Sequence, residues 1–224
     1  ASYGVVPILH ECSVEVEKGE LAVIVGPNGA GKSTVMRVLL GMLDATSGSV
    51  TLDGKDISML STQDRISLGL AFVPQTKNVF PSMSVEENLQ MGGFIRQDDI
   101  NETIEEVYAL FPILYDKRKQ LAEQLSGGQR QQVAFGRAMM TKPSIMLLDE
   151  PTAGVSPIVM DEIFSNILDV RDAGMAVLMV EQNAQQALNI ADKGYVLVSG
   201  RNEHTGTGKE LINNPEVRKK FLGG

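Results

Sequence analysis

An apolar run, LAVIV at 21–25, passes directly into the octapeptide GPNGAGKS at 26–33 and then into a helix-like run. The octapeptide matches the pattern G-x-x-x-x-G-K-[ST], which binds phosphate when it lies between a strand and a helix. Its glycines let successive backbone N–H groups turn towards phosphate oxygens, and the helix N-terminus adds positive potential. This stretch therefore predicts an α/β fold with a phosphate site where its strand ends.

Three later apolar runs predict further buried strands, namely SIMLLDE at 144–150, GMAVLMVEQ at 174–182 and GYVLVSG at 194–200. Because helices cover both faces of a parallel sheet, the strands of such a sheet are apolar throughout. We therefore expect a mostly parallel sheet between two layers of helices. SVEVEKGE at 13–20 and GSVTLDGKD at 48–56 predict additional strands joined by tight turns.

Residues 76–139 have a different character. Ser84 and Glu87 form the pattern of a capping box at the start of a helix. Further along the chain, an apolar stripe at helical spacing predicts another helix. The members of this stripe are Ile100, Ile104, Val107 and Phe111. We predict an α/β core made of residues 1–75 and 140–224, interrupted by a helical subdomain over 76–139.

Composition excludes several classes of function. The 224 residues carry a formal net charge of −8, which argues against nucleic acid as a partner, since that binding needs clustered lysine and arginine. With one cysteine and two histidines, an internal disulfide is excluded, and a histidine metal cluster or a Ser/His/Asp triad is disfavoured. No apolar run approaches the roughly 18–20 residues that cross a bilayer, and no signal peptide is visible. We expect a cytoplasmic protein.

The phosphate loop assigns roles to its residues. Lys32 is expected to reach the β- and γ-phosphates of a nucleoside triphosphate, Ser33 to give its hydroxyl to Mg²⁺, and Thr34 to contact the α-phosphate. The other loop positions are expected to bind nucleotide through the backbone. They are Gly26, Pro27, Asn28, Gly29, Ala30 and Gly31.

Two adjacent carboxylates, Asp149 and Glu150, end the apolar run SIMLLDE. Charges at such a position are costly unless an ion or a ligand compensates them. Asp149 suits a Mg²⁺ site, and Glu150 suits the orientation of a water that attacks the γ-phosphate. Together with the phosphate loop, the pair predicts that the chain binds and hydrolyses a nucleoside triphosphate.

A second glycine motif, LSGGQ at 125–129, places a serine and two glycines ahead of a helix-like run. This arrangement is also suited to an anion. The order of the phosphate loop, Gln75 in FVPQ, LSGGQ and MLLDEP resembles that of the ABC-type ATPases, and the resemblance covers the whole chain. It implies ATP and Mg²⁺ as ligands. It also implies a P-loop NTPase (RecA-like) core with a mostly parallel sheet, an antiparallel β subdomain and an inserted helical subdomain.

In that family two domains pack head to tail, and each LSGGQ signature closes over the ATP held by the other domain. The resemblance therefore implies a second ABC ATPase subunit as partner, either another copy of the chain or a related one. The signature residues implied to contact the partner's ATP are Leu125, Ser126, Gly127, Gly128 and Gln129.

Other family roles carry over to single positions. The resemblance implies that Gln75 touches Mg²⁺ and that the ring of Tyr3 lies against adenine. In the loop AGVSP, Ser156 stands where the family commonly has an aspartate. This departure bears on how the two ATP sites of a dimer communicate.

Gln182 follows the strand MAVLMV, where most ABC ATPases place a histidine that hydrogen-bonds the γ-phosphate. The resemblance implies that the amide N–H of Gln182 donates to the γ-phosphate instead. Since a carboxamide does not titrate, Glu150 then remains the base. On the alternative interpretation, Asn183 and Gln186 cap the next helix, and Gln182 only leads into it.

Four separated phrases resemble the branch of the family that takes up branched-chain amino acids, namely ENLQMGGF, PTAGVSP, VEQNAQQAL and NPEVRKKFLGG. The resemblance implies an ATPase that energises import of branched-chain or other small amino acids or related solutes, peripheral on the inner face of the cell membrane. Its partners would be integral membrane permease subunits and, indirectly, a solute-binding protein. The alternatives are an ATPase of lipopolysaccharide export and a non-transport ABC ATPase, such as one for iron–sulfur cluster assembly.

Phe80 and Met83 flank Pro81 shortly after Gln75, in a loop that we expect to be exposed. Both side chains are expected to form part of a groove that receives a short helix of the permease. The alternative is that they fold back onto the core of the helical subdomain.

Overall fold

The computed structural model describes residues 1–222. Its strands are β1 (Ser2–Tyr3), β2 (Val6–Pro7), β3 (Leu21–Val25), β4 (Thr51–Leu52), β5 (Lys55–Asp56), β6 (Leu70–Val73), β7 (Ile145–Asp149), β8 (Ala176–Val180), β9 (Lys193–Val198) and β10 (Arg201–Gly206). Its α-helices are α1 (Lys32–Leu39), α2 (Thr62–Ser67), α3 (Val85–Gly92), α4 (Asn101–Leu110), α5 (Pro112–Asp116), α6 (Gly127–Met139), α7 (Pro157–Asp172), α8 (Ala184–Ile190), α9 (Gly208–Asn213) and α10 (Pro215–Phe221). The last two residues of the phrase NPEVRKKFLGG lie outside the described residues.

The central sheet has the strand order β10-β9-β3-β8-β7-β6. Every neighbouring pair is parallel except β9 and β10, which are antiparallel at one edge. The strands expected from SIMLLDE, GMAVLMVEQ and GYVLVSG are β7, β8 and β9, so the mostly parallel sheet is confirmed. Because the strands are parallel, the segments that follow β3, β6, β7 and β8 leave the sheet at the same edge.

Strand β3 shows why these runs are apolar at every position. Its residues alternate between two hydrophobic clusters, one on each face of the sheet. Leu21, Val23 and Val25 join one cluster, whereas Ala22 and Ile24 join the other. All five side chains are 0% exposed, as a strand covered on both faces requires.

Two small antiparallel pairs accompany the central sheet. One pair is β1 with β2, and the other is β4 with β5. The turn of the second pair contains Asp53 at φ 48° and Gly54 at φ 76°, the Asp-Gly combination that tight hairpins favour. The strands predicted from GSVTLDGKD are therefore present, in short form.

The strand predicted over residues 13–20 is absent from the described part of the chain. Its backbone is held by side chains of the sheet instead of by a neighbouring strand. The backbone N–H of Glu15 donates to the hydroxyl of Tyr195 at 2.9 Å, and this hydroxyl donates to the carbonyl of Glu15 at 2.8 Å. The side chain of Asn202 pairs in the same way with both backbone groups of Ser13. These bonds satisfy the backbone without a strand.

Helices α3 to α6 fill the segment between β6 and β7. The capping box of Ser84 and Glu87 is present at the start of α3, and the apolar stripe of α4 is buried or packed against the core. Buried residues of this segment, such as Leu89 and Phe135, share one hydrophobic cluster with Met146 of the sheet. The division into a core and a helical subdomain with boundaries near 76 and 139 therefore stays a proposal.

Candidate functional site

The loop GPNGAGKS lies between β3 and α1, as expected. Gly26, Gly29 and Gly31 have φ values of 154°, 80° and 104°, which disfavour side chains. A Cβ on Gly26 would overlap the carbonyl oxygen of Leu197 in β9, and one on Gly31 would lie 2.8 Å from the side chain of Leu9. The loop is therefore packed tightly against its surroundings at two of its glycines.

The side chain of Lys32 lies within this loop. Lys32 is 5% exposed, and its Nζ donates to the carbonyl oxygens of Gly26 at 2.8 Å and Pro27 at 3.3 Å. Burial lowers the pKa of Lys32, against the opposing influence of nearby carboxylates, chiefly Glu150. The loop thus presents a buried ammonium group beside the N-terminus of α1, an arrangement suited to phosphate.

The other loop residues differ in exposure. Ser33 is exposed and Thr34 is buried in the first turn of α1, while Pro27 and Asn28 are exposed and Ala30 is buried. Their predicted contacts with nucleotide stay predictions.

The two carboxylates lie where β7 ends. Asp149 is the last residue of β7 and is paired with Val180 of β8, and the backbone N–H of Glu150 donates to the carbonyl of Val180 at 2.9 Å. Glu150 has a φ of 45°, in the left-handed region that a residue with a side chain seldom adopts. This turn directs the chain away from the sheet at the first residue after the strand.

Both carboxyl groups have raised pKa values. Burial is the main cause for Asp149, and Arg37 and Lys32 oppose it. Burial is also the main cause for Glu150, again opposed by Lys32 and reinforced by Asp149. The negative charges at this edge of the sheet are therefore only partly compensated by the protein, which favours a cation or a proton there.

Gln75 contacts the proposed base. Gln75 is an exposed residue shortly after β6, and its Nε2 donates to Oε2 of Glu150 at 3.0 Å. The structure thus brings together two predicted site residues that are 75 positions apart. No local pattern in the sequence predicts this hydrogen bond.

The LSGGQ signature forms the start of α6. Ser126 is the N-cap, its Oγ accepts from the backbone N–H of Gln129 at 3.2 Å, and the Gln129 side chain accepts from the backbone N–H of Ser126 at 3.1 Å. Leu125 is buried and precedes the cap. A Cβ on Gly128 would lie 2.5 Å from the carboxyl carbon of Glu162 in α7, whereas Gly127 has ordinary space. The signature is thus a capped helix N-terminus, and a role towards a partner's ATP stays a prediction.

Tyr3 lies beside α1. Its ring is 41% exposed, its hydroxyl accepts a hydrogen bond from Nη1 of Arg37 at 3.1 Å, and the guanidinium carbon of Arg37 is 5.8 Å from the ring centroid. The cation–π contact holds the ring near the phosphate-loop helix. Stacking on adenine stays a prediction.

Gln182 is exposed in the segment between β8 and α8. Asn183 is the N-cap residue of α8, as the alternative interpretation expects, but its side chain makes no capping hydrogen bond to the helix. The Asn183 side chain donates to the sulfur of Met160 at 3.4 Å instead. Contact of Gln182 with a γ-phosphate stays a prediction.

Sequence reasoning missed Glu181, which directly precedes Gln182. Glu181 is 1% exposed, and both of its oxygens accept hydrogen bonds from the loops after β7 and β8. The signal that singled out Asp149 and Glu150, a carboxylate at the end of an apolar strand, is present here as well in MAVLMVE.

Ser33 and Asp149 fit a magnesium ion in their chemistry. A hydroxyl and a carboxylate are oxygen ligands of the kind that Mg²⁺ prefers, and the raised pKa of Asp149 marks a carboxylate that a cation would stabilise. Within residues 1–222, no group of three or more His, Cys, Asp or Glu side chains could hold a metal by itself. Phosphate oxygens and water would complete the site of a bound ion, and the contact of Gln75 with Mg²⁺ stays a prediction.

Comparison with known proteins places these features in one family. The family model described as ABC transporter matches residues 9–153. The high-affinity branched-chain amino acid transport ATP-binding protein BraG of Pseudomonas aeruginosa is 45% identical over 223 residues, which are 99% of this chain and 96% of BraG. The probable branched-chain amino acid transport ATP-binding protein LivF of Archaeoglobus fulgidus is 39% identical, over 100% of this chain and 95% of LivF.

Two further similarities come from an export protein and a solved structure. The lipopolysaccharide export system ATP-binding protein LptB of Haemophilus influenzae is 34% identical, over 99% of this chain and 93% of LptB. The ADP conformation of MJ1267, an ATP-binding cassette of an ABC transporter, superposes with a TM-score of 0.89 at 30% identity, over 100% of this chain and 96% of MJ1267.

Proposed function

Because this chain belongs to the ABC transporter family and hydrolyses ATP, we propose that it energises the import of branched-chain or related small amino acids. The observation that carries this proposal is the 45% identity to BraG over nearly the whole of both chains. The second relative of the same description, from an archaeon, supports it independently at 39% identity.

In the proposed mechanism the chain binds ATP at the carboxyl edge of its sheet. Backbone N–H groups of residues 28–34 and the buried ammonium of Lys32 hold the phosphates. Mg²⁺, when bound between Ser33, Asp149 and the phosphates, would neutralise charge on the phosphate oxygens. Glu150 accepts the proton of the attacking water, and its raised pKa brings it closer to the working pH of such a base.

Gln75 and Gln182 complete the proposed site. The 3.0 Å hydrogen bond from Gln75 holds one oxygen of Glu150, so a movement of the segment after β6 would move the base. Gln182 lies at the end of β8, next to the strand that carries Glu150, and its amide donates to the γ-phosphate. The site therefore responds to the loop that leads into helices α3 to α6.

We place the signature in a partner's ATP site. Ser126, Gly127 and Gly128 begin α6, where free backbone N–H groups and the helix dipole favour an anion. A head-to-tail pair of ATPase subunits would bring each signature against the γ-phosphate bound by the other. ATP then closes the pair, and hydrolysis releases it.

Integral membrane permease subunits are the proposed partners, with this chain on the inner face of the membrane. None of the helices within residues 1–222 has the length and apolar character of a membrane span. Phe80 is 39% exposed and is covered on one side by Arg137, whose guanidinium carbon is 4.8 Å from the ring centroid. Met83 is half-buried. Further exposed apolar residues of the same helical segment are Met91, Phe94 and Ile95.

The docking role of Phe80 and Met83 is tested by replacing both with serine. We expect solute uptake to fall at least tenfold while ATP turnover by the purified chain stays within twofold, an estimate for loss of a contact between subunits. The matched control is Ile158→Ser, since Ile158 is 82% exposed but lies on α7. Equal loss of uptake and turnover, with lowered stability, would show that both residues serve the core of the helical segment.

Uptake of radiolabelled leucine tests the proposed solute class. Cells that lack this chain should lose high-affinity leucine uptake and regain it with the native chain, but not with Lys32→Ala. The similarity to LptB supports a second candidate, lipopolysaccharide export. Normal leucine uptake together with lipopolysaccharide that fails to reach the cell surface would favour that candidate.

A further inference from the structure

Glu181 is a buried carboxylate outside the set of residues discussed for the ATPase reaction. It follows β8 directly and is 1% exposed. A carboxylate loses its hydration when buried, and it is tolerated where hydrogen bonds replace the water. Four donors do so here: the backbone N–H and the hydroxyl of Thr152, at 3.1 and 2.6 Å, and the backbone N–H groups of Gln182 and Asn183, at 2.9 and 3.3 Å.

These four hydrogen bonds join two different loops. Thr152 lies two residues after Glu150, in the loop that leaves β7, whereas Gln182 and Asn183 lead from β8 into α8. Oε1 of Glu181 accepts both bonds from the first loop, and Oε2 accepts both bonds from the second. One rigid, two-oxygen group thus sets the distance between the loop of the proposed base and the loop of Gln182.

The connection is distinct from the sheet itself. Strands β7 and β8 stay paired up to Asp149 and Val180, and the carbonyl of Val180 also accepts from the backbone N–H of Glu150 at 2.9 Å. Beyond that point Glu181 holds the two loops through side-chain bonds. Because its bonds are charge-assisted, they are stronger than bonds between neutral groups.

We propose that Glu181 is a positioning residue for ATP hydrolysis, which holds the loop of Glu150 and the segment of Gln182 in register with each other. Its loss should lower turnover and leave ATP binding largely intact, because the phosphate loop and Lys32 hold the nucleotide without it. This inference rests on the ATPase activity of the family and not on the identity of the solute. A chain that hydrolyses ATP but does not support leucine uptake would contradict the proposed solute and leave this inference standing.

The test compares Glu181→Gln and Thr152→Val with Thr152→Ser. Glu181→Gln keeps the shape of the side chain but replaces one oxygen by an NH₂ group, which cannot accept the two hydrogen bonds that this oxygen receives. Thr152→Val removes only the hydroxyl that donates at 2.6 Å. We expect kcat to fall about tenfold or more in Glu181→Gln and by a smaller factor in Thr152→Val, as for loss of bonds to a charged group. The Kd for a fluorescent ATP analogue should stay within twofold. Thr152→Ser keeps the hydroxyl that Thr152→Val lacks, so its kcat should equal that of the native chain.

Arg65→Met is the matched control for loss of a buried charged group. Arg65 is 2% exposed and donates to four backbone carbonyls, including those of Ser58 and Val38, away from the edge of the sheet where the phosphate loop lies. It should lower the melting temperature and leave kcat within twofold. The inference is overturned if Glu181→Gln and Thr152→Val keep kcat within twofold, or if Arg65→Met loses as much kcat as they do. If Glu181→Gln does not fold, the pair Thr152→Val and Thr152→Ser still decides the question.

Discussion

At the scale of single residues, the site concentrates negative charge where the two parallel strands β7 and β8 end. Burial lowers the pKa of Lys32, and three nearby carboxylates raise it, namely Glu150, Asp149 and Glu181. Such an arrangement is costly for the protein alone and becomes favourable when a bound cation compensates the charges. Stability and activity should therefore respond in opposite directions when the charge of Asp149 or Glu150 is removed, since burial raises the pKa of both.

Glu150→Gln should raise the melting temperature measured without nucleotide and abolish turnover. Burial raises the folded-state pKa of Glu150 above its ordinary value, so above that value its ionisation opposes folding, and the opposition disappears as pH falls through the folded-state pKa. Glu210→Gln is the control, because hydrogen bonds from Thr207 lower the pKa of Glu210 and its charge supports folding. A lower melting temperature for Glu150→Gln than for the native chain at pH 7 would contradict this account.

The raised pKa of Glu150 should also affect the pH dependence of ATP turnover by the native chain. Since Glu150 must be ionised to accept a proton, kcat should decline as the pH falls through its pKa, which burial raises above the ordinary value of a glutamate. The measurement is kcat at saturating ATP between pH 5 and pH 8, with ATP binding followed in parallel. A profile that stays flat down to the pH of ordinary carboxyl titration would argue against Glu150 as the base.

Gln182→Ala should cut kcat by roughly tenfold to a hundredfold, the loss of one or two hydrogen bonds to a charged group. Gln182→His should stay active and gain a pH inflection near the titration of histidine, since that ring changes charge near pH 6.5. The neighbouring substitution Gln185→Ala, at an exposed position of α8, is the control. An unchanged kcat for Gln182→Ala at saturating ATP in the assembled transporter would remove Gln182 from the site.

At the scale of elements, the signature helix α6 is fixed by close packing against α3. A Cβ on Gly92 of α3 would overlap the backbone carbonyl oxygen of Arg137 in α6. A Cβ on Gly136 of α6 would lie 2.7 Å from Val107 and 2.9 Å from Leu89. Glycine at these two positions lets the helices approach each other, and this approach sets where the N-terminus of α6 lies.

Gly92→Ala should therefore destabilise the fold, although alanine favours helix more than glycine does. The overlap is with backbone, which cannot turn aside, and overpacking of this kind costs about 1–3 kcal/mol. Urea unfolding measures the effect, and Gln90→Ala, at an exposed position of the same helix, is the control. Equal free energies of unfolding for the two variants would show that α3 moves away from α6 at little cost.

At the scale of the whole molecule, one phosphate loop and one signature sit on different elements of the same chain, between β3 and α1 and at the start of α6. Each is a helix N-terminus suited to an anion. The proposed head-to-tail pair gives both of them a phosphate to bind. Its formation should depend on ATP and should be reversed by hydrolysis.

Glu150→Gln should dimerise on addition of ATP and Mg²⁺, because it binds ATP and does not hydrolyse it. Adding Ser126→Arg to this variant should prevent closure, since a bulky cation would occupy the position of the partner's γ-phosphate. Light scattering gives the mass in each case, and Lys119→Ser, a change at an exposed residue of the same helical segment, serves as control in the Glu150→Gln background. A monomer of Glu150→Gln under these conditions would favour a heterodimer with a related ATPase.

Elements whose signal is local could be predicted from the amino-acid sequence. The buried strands β3, β7, β8 and β9, the phosphate loop ahead of α1 and the capping box of α3 follow from apolar runs, glycine spacing and cap residues that lie close together in the chain. The motif order also indicated the family. The strand predicted over residues 13–20 was wrong, because the alternation of apolar and polar residues does not show whether a partner strand is present.

Contacts between groups that are distant in the chain became visible only in the folded structure. The hydrogen bond of Gln75 to Glu150 joins residues of different loops, and the four bonds of Glu181 join the ends of two strands. The bonds of Tyr195 and Asn202 to residues 13–15 are likewise long-range. Such contacts depend on the order of strands in the sheet, because this order brings together loops that are far apart in sequence. A local sequence pattern does not specify the order of the strands.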